Sequence, residues 1–227
     1  MKKLALITGS SAGIGRQIGL DLLQSDYEVY FNGRNKSYPE DDHFIQADCS
    51  SYDSVNIIRE KIHPKELDVL VLNVGTTDRT PLGCITPSNW LKVFDTNLNI
   101  PFFLVQALRP YINPNGRIVF ITSVSGSVPD SSSISYGVSK AAVNMLVKYL
   151  AKELAYKDIT VNAIAPGYTM TNWHKKKSIE QIHRIAKKTA LNRFGQVKEI
   201  SQAVQMVIQN EYINGQIISV DGGFGLV

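Results

Sequence analysis

The chain has 227 residues, of which 44% are hydrophobic and 19% charged, and its formal net charge is +4 at pH 7. This length and composition suit one globular domain with a substantial core and exclude a fibrous, disordered or disulfide-rich protein. No stretch approaches the roughly 20 apolar residues of a membrane helix, and the chain has only two cysteines, Cys49 and Cys84. We therefore expect a cytoplasmic protein that binds neither membranes nor, given its mild and mostly dispersed charge, nucleic acid.

Short apolar runs rich in β-branched residues alternate along the chain with longer segments of helical periodicity. This alternation is typical of repeated β-α-β units around a parallel sheet. The predicted strands are residues 4–8, 29–32, 43–47, 69–73, 116–122, 160–165 and 216–220, and the predicted helices are 14–24, 54–62, 89–112, 135–155 and 198–209. We expect a three-layer α/β fold in which helices flank one doubly wound parallel sheet, within a single domain over 1–227.

The connection between the second and third predicted strands is unusually short. Only eleven residues, 33–43, join them, and Pro39 with the acidic residues 40–42 disfavours a full helix there. We expect a loop or a single turn at this position.

A glycine-rich segment, residues 8–15, joins the first strand to the first helix. Gly9 permits a tight turn, Gly13 lets a ligand approach the backbone, and Gly15 lets the helix pack closely on the strand. A glycine-rich segment taken alone is often only a loop. Its position between a first strand and a helix N-terminus instead favours the pyrophosphate site of a dinucleotide in a Rossmann fold.

The choice between the two nicotinamide cofactors depends on the residue type about 20 positions after these glycines. An acidic side chain there binds the ribose 2′-hydroxyl of NAD, whereas an arginine accepts the 2′-phosphate of NADP. The sequence reads Asn32-Gly33-Arg34-Asn35 and contains no carboxylate. Arg34 therefore favours NADP(H) over NAD(H), the alternative being a solvated surface arginine.

A tyrosine and a lysine suited to proton transfer share one face of the predicted helix 135–155. Tyr136 and Lys140 are four residues apart, and an ammonium close to a phenol lowers the pKa of the phenol towards neutrality. Ser123 follows a predicted strand at its carboxyl end, the edge where ligands bind in open α/β sheets. Taken singly, such a spacing is common on helices and such a serine is often only a cap or turn residue.

The motifs occur together in a familiar order. They are Thr8-Gly9-Ser10-Ser11-Ala12-Gly13-Ile14-Gly15, Asp95-Thr96-Asn97, Ile121-Thr122-Ser123, Tyr136-Gly137-Val138-Ser139-Lys140, Pro166-Gly167, Leu191-Asn192-Arg193-Phe194-Gly195 and Val220-Asp221-Gly222-Gly223. Across essentially the whole chain the sequence resembles the short-chain dehydrogenase/reductase family in its classical form. Residues 212–223 are most similar to the 3-oxoacyl-carrier-protein reductases of that family.

The resemblance implies an oxidoreductase that interconverts a carbonyl and a secondary alcohol by hydride transfer with NADP(H). It implies a catalytic tetrad in which Tyr136 is the general acid or base, Ser123 hydrogen-bonds the substrate oxygen, Lys140 also binds the ribose and Asn97 anchors a proton-relay water. The cofactor contacts expected from the glycine motif and the resemblance are Gly9, Ser11, Gly13, Ile14, Gly15, Arg34, Asp48, Cys49, Asn73, Val74, Gly75, Tyr136, Lys140, Pro166, Gly167, Thr169 and Thr171. No metal is expected.

The resemblance also implies a mobile substrate lid, residues 168–193, hereafter the lid segment. Ser125, Tyr168 and Trp173 are candidate substrate contacts, with simple packing as the alternative for the two aromatic residues. The basic run 175–177 is either a docking site for an acidic carrier protein or a solvated face. A homotetramer or homodimer is expected through the helices that begin near Asn97 and Ser135, although their apolar faces are equally compatible with monomer core.

Three departures from the family pattern bear on these expectations. Residues 72–75 read Leu-Asn-Val-Gly where the family usually has Asn-Asn-Ala-Gly, and Ala12 stands where many NADP-preferring members carry a basic residue. The short segment 35–42 replaces a helix, which exposes the adenine edge and weakens cofactor binding. Two alternatives therefore stay open: an NADP(H)-binding sensor or scaffold without turnover, and a reductase of another small carbonyl such as a sugar, a quinone or a secondary-metabolite intermediate.

Overall fold

The computed structural model describes residues 2–35, 43–129, 133–172 and 177–226. Within these ranges the strands are β1 Lys3–Ile7, β2 Tyr27–Gly33, β3 Phe44–Gln46, β4 Leu67–Leu72, β5 Ile112–Ile121, β6 Thr160–Pro166 and β7 Ile217–Val220. The α-helices are α1 Gly13–Gln24, α2 Asp53–Ile62, α3 Pro87–Phe94, α4 Ile100–Leu108, α5 Ile134–Leu154, α6 Ile179–Ala186 and α7 Val197–Gln209.

All strands of the sheet run parallel, in the order β3-β2-β1-β4-β5-β6-β7. From β1 the chain first moves outwards to β3 and then returns to β4, which pairs with the other side of β1. The carboxyl ends of β1 and β4 therefore border a topological switch point, where doubly wound sheets bind their ligands. The predicted three-layer α/β fold with a seven-stranded parallel sheet is confirmed.

Each face of the sheet carries a separate hydrophobic core. In β1, Leu4 and Leu6 point into a core shared with α2, α4 and α5, whereas Ala5 and Ile7 point into a core shared with α1 and α7. Successive side chains of a strand point to opposite faces, so a strand covered on both sides must be apolar throughout. This burial explains the continuous apolar runs seen in the sequence. Among the described residues, no helix has the length and apolar character that crossing a membrane requires.

The single helix predicted over 89–112 is divided in the structure. α3 ends at Phe94, a π-helical turn spans Asp95–Asn99, α4 follows, and the chain enters β5 at Ile112. Pro101 gives the physical reason, because it lacks the N–H that would bond to the carbonyl of Asn97 in a continuous α-helix.

The lid segment contains α6, a helix that the periodicity analysis missed. Ser178 caps it by accepting from the backbone N–H of Gln181, and the Gln181 side chain accepts from the Ser178 backbone in return. This Ser-x-x-Gln capping box was the sequence signal that would have predicted the helix. Ile185 and Ala186 anchor α6 against Phe194.

A buried carboxylate joins α1 to α7 across one face of the sheet. Asp21 is 2% exposed and accepts hydrogen bonds from Lys198 Nζ and Ser201 Oγ, both at 2.6 Å. Gln17 Nε2 donates to the same carboxylate at 3.0 Å. Burial alone would raise the pKa of Asp21, but these hydrogen bonds hold it below its usual value.

We expect Asp21→Ala to lower the free energy of unfolding by about 2–4 kcal/mol, because it leaves the buried Ser201 hydroxyl without its acceptor and separates the two helices. Urea unfolding followed by circular dichroism measures the loss. The control is Lys198→Met, whose half-exposed ammonium contributes less than about 1 kcal/mol. Equal losses in the two variants would contradict a role for the buried carboxylate.

Candidate active site

A cavity of about 1020 Å³ opens at the carboxyl edge of the sheet, above the switch point between β1 and β4. Its walls come from the segments that follow β1 to β6, from the first turns of α5 and from the lid segment. Its size and position match those of a cofactor site with room for a substrate.

The glycine-rich turn forms one end of this cavity. Gly9 and Gly13 both have φ of +61°, in the left-handed region that glycine adopts without strain. Ala12 provides no side-chain cap to α1, so the first N–H groups of that helix remain available to an anion at the cavity wall. Gly15 lies behind the wall, where a Cβ atom would come within 2.5 Å of Asn73 Nδ2 and 2.7 Å of the Gly9 carbonyl oxygen. It therefore allows close packing and is not a lining residue.

Two asparagine side chains hold the turn in place. Asn32 Oδ1 accepts from the Gly9 backbone N–H at 3.2 Å, and Asn32 Nδ2 donates to the carbonyls of Ile45 and Ala47 beside β3. Asn73 Nδ2 donates to the Gly9 carbonyl at 2.9 Å. Sequence reasoning did not single out Asn32. The available signal was a polar residue directly after the apolar residues 29–31 of the strand, which must find partners when buried.

The predicted adenine-side residues lie along the same end of the cavity. Arg34 is exposed just beyond β2, where it lines the cavity mouth. Asp48 Oδ1 accepts from the backbone and hydroxyl of Ser50, which folds this carboxylate into a local turn. Burial raises the pKa of Cys49 to about 12, so its thiol stays protonated and donates to Asn32 Oδ1. The predicted loop over 35–42 lies largely outside the described residues, which resume at His43.

Tyr136 and Ser123 are brought together by the end of β5 and the start of α5. Ser133 caps α5 by accepting from the Tyr136 backbone N–H at 3.1 Å, which sets Tyr136 in the first turn of the helix. Ser123 Oγ accepts from the Ser125 backbone N–H and forms a hydrogen bond with the Tyr136 side chain. Both residues line the cavity.

Lys140 lies one turn further along α5 and is almost fully buried. Its Nζ donates to the Ile121 carbonyl at 2.9 Å and lies 5.7 Å from the centre of the Tyr136 ring. Burial lowers the pKa of Lys140 to about 8, because the surroundings penalise its charged form.

Burial raises the pKa of Tyr136 above its ordinary value, and the Ser123 hydrogen bond opposes this only in part. The prediction that Lys140 lowers the pKa of Tyr136 is therefore wrong for this structure. Removal of the phenol from water is the larger cause, the Ser123 hydrogen bond is the opposing one, and Lys140 is not among the causes of the shift. At neutral pH the Tyr136 hydroxyl keeps its proton.

Asn97 lies on the π-helical turn, with its side chain fully engaged. Its Nδ2 donates to the Thr76 carbonyl at 3.0 Å and to Ser139 Oγ at 2.9 Å, and its Oδ1 accepts from the Thr76 backbone at 2.7 Å. The main-chain carbonyl of Asn97 lacks the α-helical donor that Pro101 would otherwise supply. Gly75 lies beside the ammonium of Lys140 and the side chain of Asn97. A Cβ atom at this position would be 3.5 Å from Lys140 Nζ and 3.6 Å from Asn97 Oδ1.

The remaining candidates fall into three groups. Those that line the cavity are Ser11, Ile14, Val74, Ser125, Gly167, Tyr168, Thr169 and Thr171. Pro166 is buried at the end of β6, in register with Val220, and does not line the cavity. Trp173 and Lys175 to Lys176 lie outside the described residues, while Lys177 lines the cavity.

Tyr168 combines its two predicted roles, pocket wall and packing residue. Its ring lies 5.7 Å from that of Phe194 and 5.9 Å from that of Phe224, at the base of the lid segment. No group of three or more His, Cys, Asp or Glu side chains in the described ranges is arranged to hold a metal ion.

Comparisons with known proteins agree with this geometry. The family model described as enoyl-(acyl carrier protein) reductase matches residues 9–225. The chain is 34% identical over 241 residues to the 3-oxoacyl-(acyl-carrier-protein) reductase FabG of Staphylococcus aureus strain Mu50, covering 98% of each chain.

Solved structures are similar over the same extent. A short chain dehydrogenase family protein from Francisella tularensis subsp. tularensis SCHU S4 superposes with a TM-score of 0.93 at 25% identity, covering 100% of both chains. The Pseudomonas aeruginosa RhlG/NADP active-site complex superposes with a TM-score of 0.91 at 29% identity, covering 98% of this chain and 96% of RhlG. The chain belongs to the short-chain dehydrogenase/reductase family of oxidoreductases, which act on carbonyl and alcohol groups with a nicotinamide cofactor.

Proposed function

We propose that this protein is an NADP(H)-dependent ketoreductase in which Tyr136 is the general acid. The observation that carries the proposal is the convergence of Tyr136, Ser123 and Lys140 on one cavity that also contains the glycine-rich turn. Asn97 does not line this cavity, but its side chain bonds to Thr76, which does. A nucleotide-binding turn and a proton donor in the same cavity are what a hydride-transfer reaction requires.

The cofactor half of the cavity suits a phosphorylated dinucleotide. The turn at Gly9 and Gly13 and the uncapped start of α1 present backbone N–H groups to a pyrophosphate, and Arg34 would bind the 2′-phosphate. When bound, the nicotinamide ring supplies or accepts the hydride. The complex of RhlG with NADP supports the same cofactor here.

In the reduction direction Tyr136 donates its proton to the substrate oxygen while the Ser123 hydroxyl donates a hydrogen bond to that oxygen. Lys140 holds a ribose hydroxyl and, with the main-chain carbonyl of Asn97, returns a proton to Tyr136 through water. The raised pKa of Tyr136 means that the phenol holds its proton at neutral pH, the form that donates in the reduction direction.

The substrate type that we propose is a 3-oxoacyl group of the kind reduced by carrier-protein reductases. The 34% identity to FabG across nearly the whole chain supports this choice. We also propose a cytoplasmic homodimer or homotetramer, supported by the exposed Phe103, Met145 and Tyr149 on α4 and α5. Size-exclusion chromatography with light scattering distinguishes these assemblies from a monomer.

The function is tested by following NADPH and NADH oxidation against acetoacetyl thioesters, diketones, quinones, keto sugars and steroids. We expect NADPH to be consumed with acetoacetyl thioesters. Consumption with another class alone would retain the reductase and reject the 3-oxoacyl assignment. NADPH binding without oxidation by any substrate of this panel would instead favour a sensor or scaffold.

We expect Arg34→Ala to raise the Kd for NADPH about 10- to 100-fold and to leave the Kd for NADH nearly unchanged, because only the former loses a charge-assisted contact to the 2′-phosphate. Fluorescence titration of both cofactors measures this difference. Arg59→Ala, on the exposed face of α2 and outside the cavity lining, is the matched control. Equal weakening of both cofactors would refute the assignment of Arg34.

A further inference from the structure

The charge lining the cavity is strongly one-sided. Among the described lining residues seven are basic, whereas Asp48 alone is acidic. Over the whole chain the balance is nearly even, with 24 Lys and Arg against 20 Asp and Glu. The net charge of the protein therefore does not explain the imbalance inside the cavity.

The cofactor assigned above accounts for only part of this charge. Arg34 lies at the 2′-phosphate end, and Lys140 is buried beside Tyr136. Backbone N–H groups at the glycine-rich turn would bind the pyrophosphate. Of the five other lining cations, Lys92 lies on α3, and the remaining four are Arg79, Lys177, Arg184 and Lys188.

Three of these cations lie on the lid segment. Lys177 immediately precedes Ser178, the cap of α6, while Arg184 is in the last turn of that helix and Lys188 follows its end. Arg184 and Lys188 are four positions apart, and Ile185 between them also lines the cavity. Because Ile185 and Ala186 pack against Phe194, this face of the lid segment is held towards the cavity.

The fourth cation lies on the loop that runs past the start of α5. Thr77 Oγ1 is 3.0 Å from the hydroxyl of Ser133, the residue that caps the helix carrying Tyr136. Both Thr77 and Arg79 line the cavity. The basic residues thus reach the cavity that contains Tyr136 from two separate parts of the chain.

We propose that residues 177–188, through Lys177, Arg184 and Lys188, form together with Arg79 a subsite for an anionic group, carboxylate or phosphate, on a small carbonyl substrate. This inference rests on the proposed ketoreductase activity and adds to the 3-oxoacyl group a second substrate class, small carbonyls that carry an anion. Guanidinium and ammonium groups bind such anions by charge-assisted hydrogen bonds. The absence of a lining carboxylate among the described residues on this side removes the main repulsive group for an anion.

The test compares matched substrates that differ in charge: acetoacetate with ethyl acetoacetate, and dihydroxyacetone phosphate with dihydroxyacetone. We expect kcat/KM to favour one of the anionic members by at least about tenfold. Arg184→Gln/Lys188→Gln should abolish that preference while leaving kcat/KM for the neutral partner and the Kd for NADPH unchanged. A preference for acetoacetate over its ethyl ester would identify a carboxylate subsite, whereas a preference for dihydroxyacetone phosphate over dihydroxyacetone would identify a phosphate subsite. Lys187→Gln, an exposed position between the two and outside the cavity lining, is the matched control.

Three results would overturn the subsite. They are a preference for the neutral members, an equal loss for both members in the double variant, and a loss of NADPH affinity with the preference unchanged, which would assign the lid cations to the cofactor. Binding of succinate and inorganic phosphate to the enzyme with NADP, measured by calorimetry, separates this inference from the proposed activity. Anion binding that the double variant loses, without turnover of any substrate, would support the subsite and reject the reductase. If the protein shows no turnover and no anion binding, the subsite and the reductase activity are both rejected.

Discussion

Replacing Tyr136 with phenylalanine is expected to reduce kcat for NADPH-dependent carbonyl reduction by at least about 1000-fold. The phenol carries the transferable proton at the reaction centre, and phenylalanine keeps the ring while removing it. The raised pKa of Tyr136 means that the wild-type hydroxyl is fully protonated at neutral pH, so the variant loses a donor that was fully populated. Stopped-flow and steady-state measurements of NADPH oxidation give this loss directly.

The fold and the cofactor site of Tyr136→Phe should be almost unaffected. The variant loses one hydrogen bond with Ser123, worth about 1 kcal/mol, and the Kd for NADPH should change by less than about threefold. Tyr149→Phe, on the same helix but 64% exposed, is the matched control and should retain full activity. Activity of Tyr136→Phe within about tenfold of wild type would refute the mechanism.

Replacing Lys140 with methionine should make the protein more stable and much less active. Burial lowers the pKa of Lys140 from 10.5 to about 8, which corresponds to about 3 kcal/mol of destabilisation by the charged form. The hydrogen bond from Lys140 Nζ to the Ile121 carbonyl offsets about 1 kcal/mol of this destabilisation. Methionine fills a similar volume without charge, so we expect Tm to rise by about 3–6 °C at pH 7. We expect kcat/KM to fall by about 100-fold, because proton return to Tyr136 is lost.

The pH dependence gives the sign of the Lys140 effect. The folded chain releases the Lys140 proton near pH 8, whereas the unfolded chain keeps it to about 10.5, so the penalty is fully present below pH 8 and disappears as pH rises towards 10.5. The stability advantage of Lys140→Met should shrink over the same interval. Lys148→Met, an exposed position on α5, should change the free energy of unfolding by less than about 0.5 kcal/mol at any pH. A pH-independent advantage, or a loss of stability at pH 7, would contradict the buried charge.

The strands, the glycine-rich turn and the spacing of Tyr136 and Lys140 could be predicted from the sequence because each rests on local chemistry. A strand buried on both faces has to be a continuous apolar run, as residues 4–7 of β1 and 69–72 of β4 are. A turn with φ of +61° at Gly9 and Gly13 favours glycine. Two residues four apart on a helix share a face wherever that helix lies.

Other features depended on which distant residues meet in the fold. Asn32 holds the glycine-rich turn through hydrogen bonds to Gly9, Ile45 and Ala47. The side chain of Asn97 is fixed by hydrogen bonds to Thr76 and Ser139. The division of the predicted helix 89–112 had a local cause in Pro101, but its placement beside Gly75 and Lys140 did not.

The pKa values and the charge of the cavity were likewise decided only by the tertiary structure. The sequence placed an ammonium near a phenol and therefore predicted a lowered pKa for Tyr136, whereas burial in the folded chain raises it. The sequence assigned no role to Arg184 and Lys188, which line the cavity in the folded chain. Local spacing determines which groups can lie side by side. Burial and long-range contacts determine the pKa of each group and the surface to which each charge is exposed.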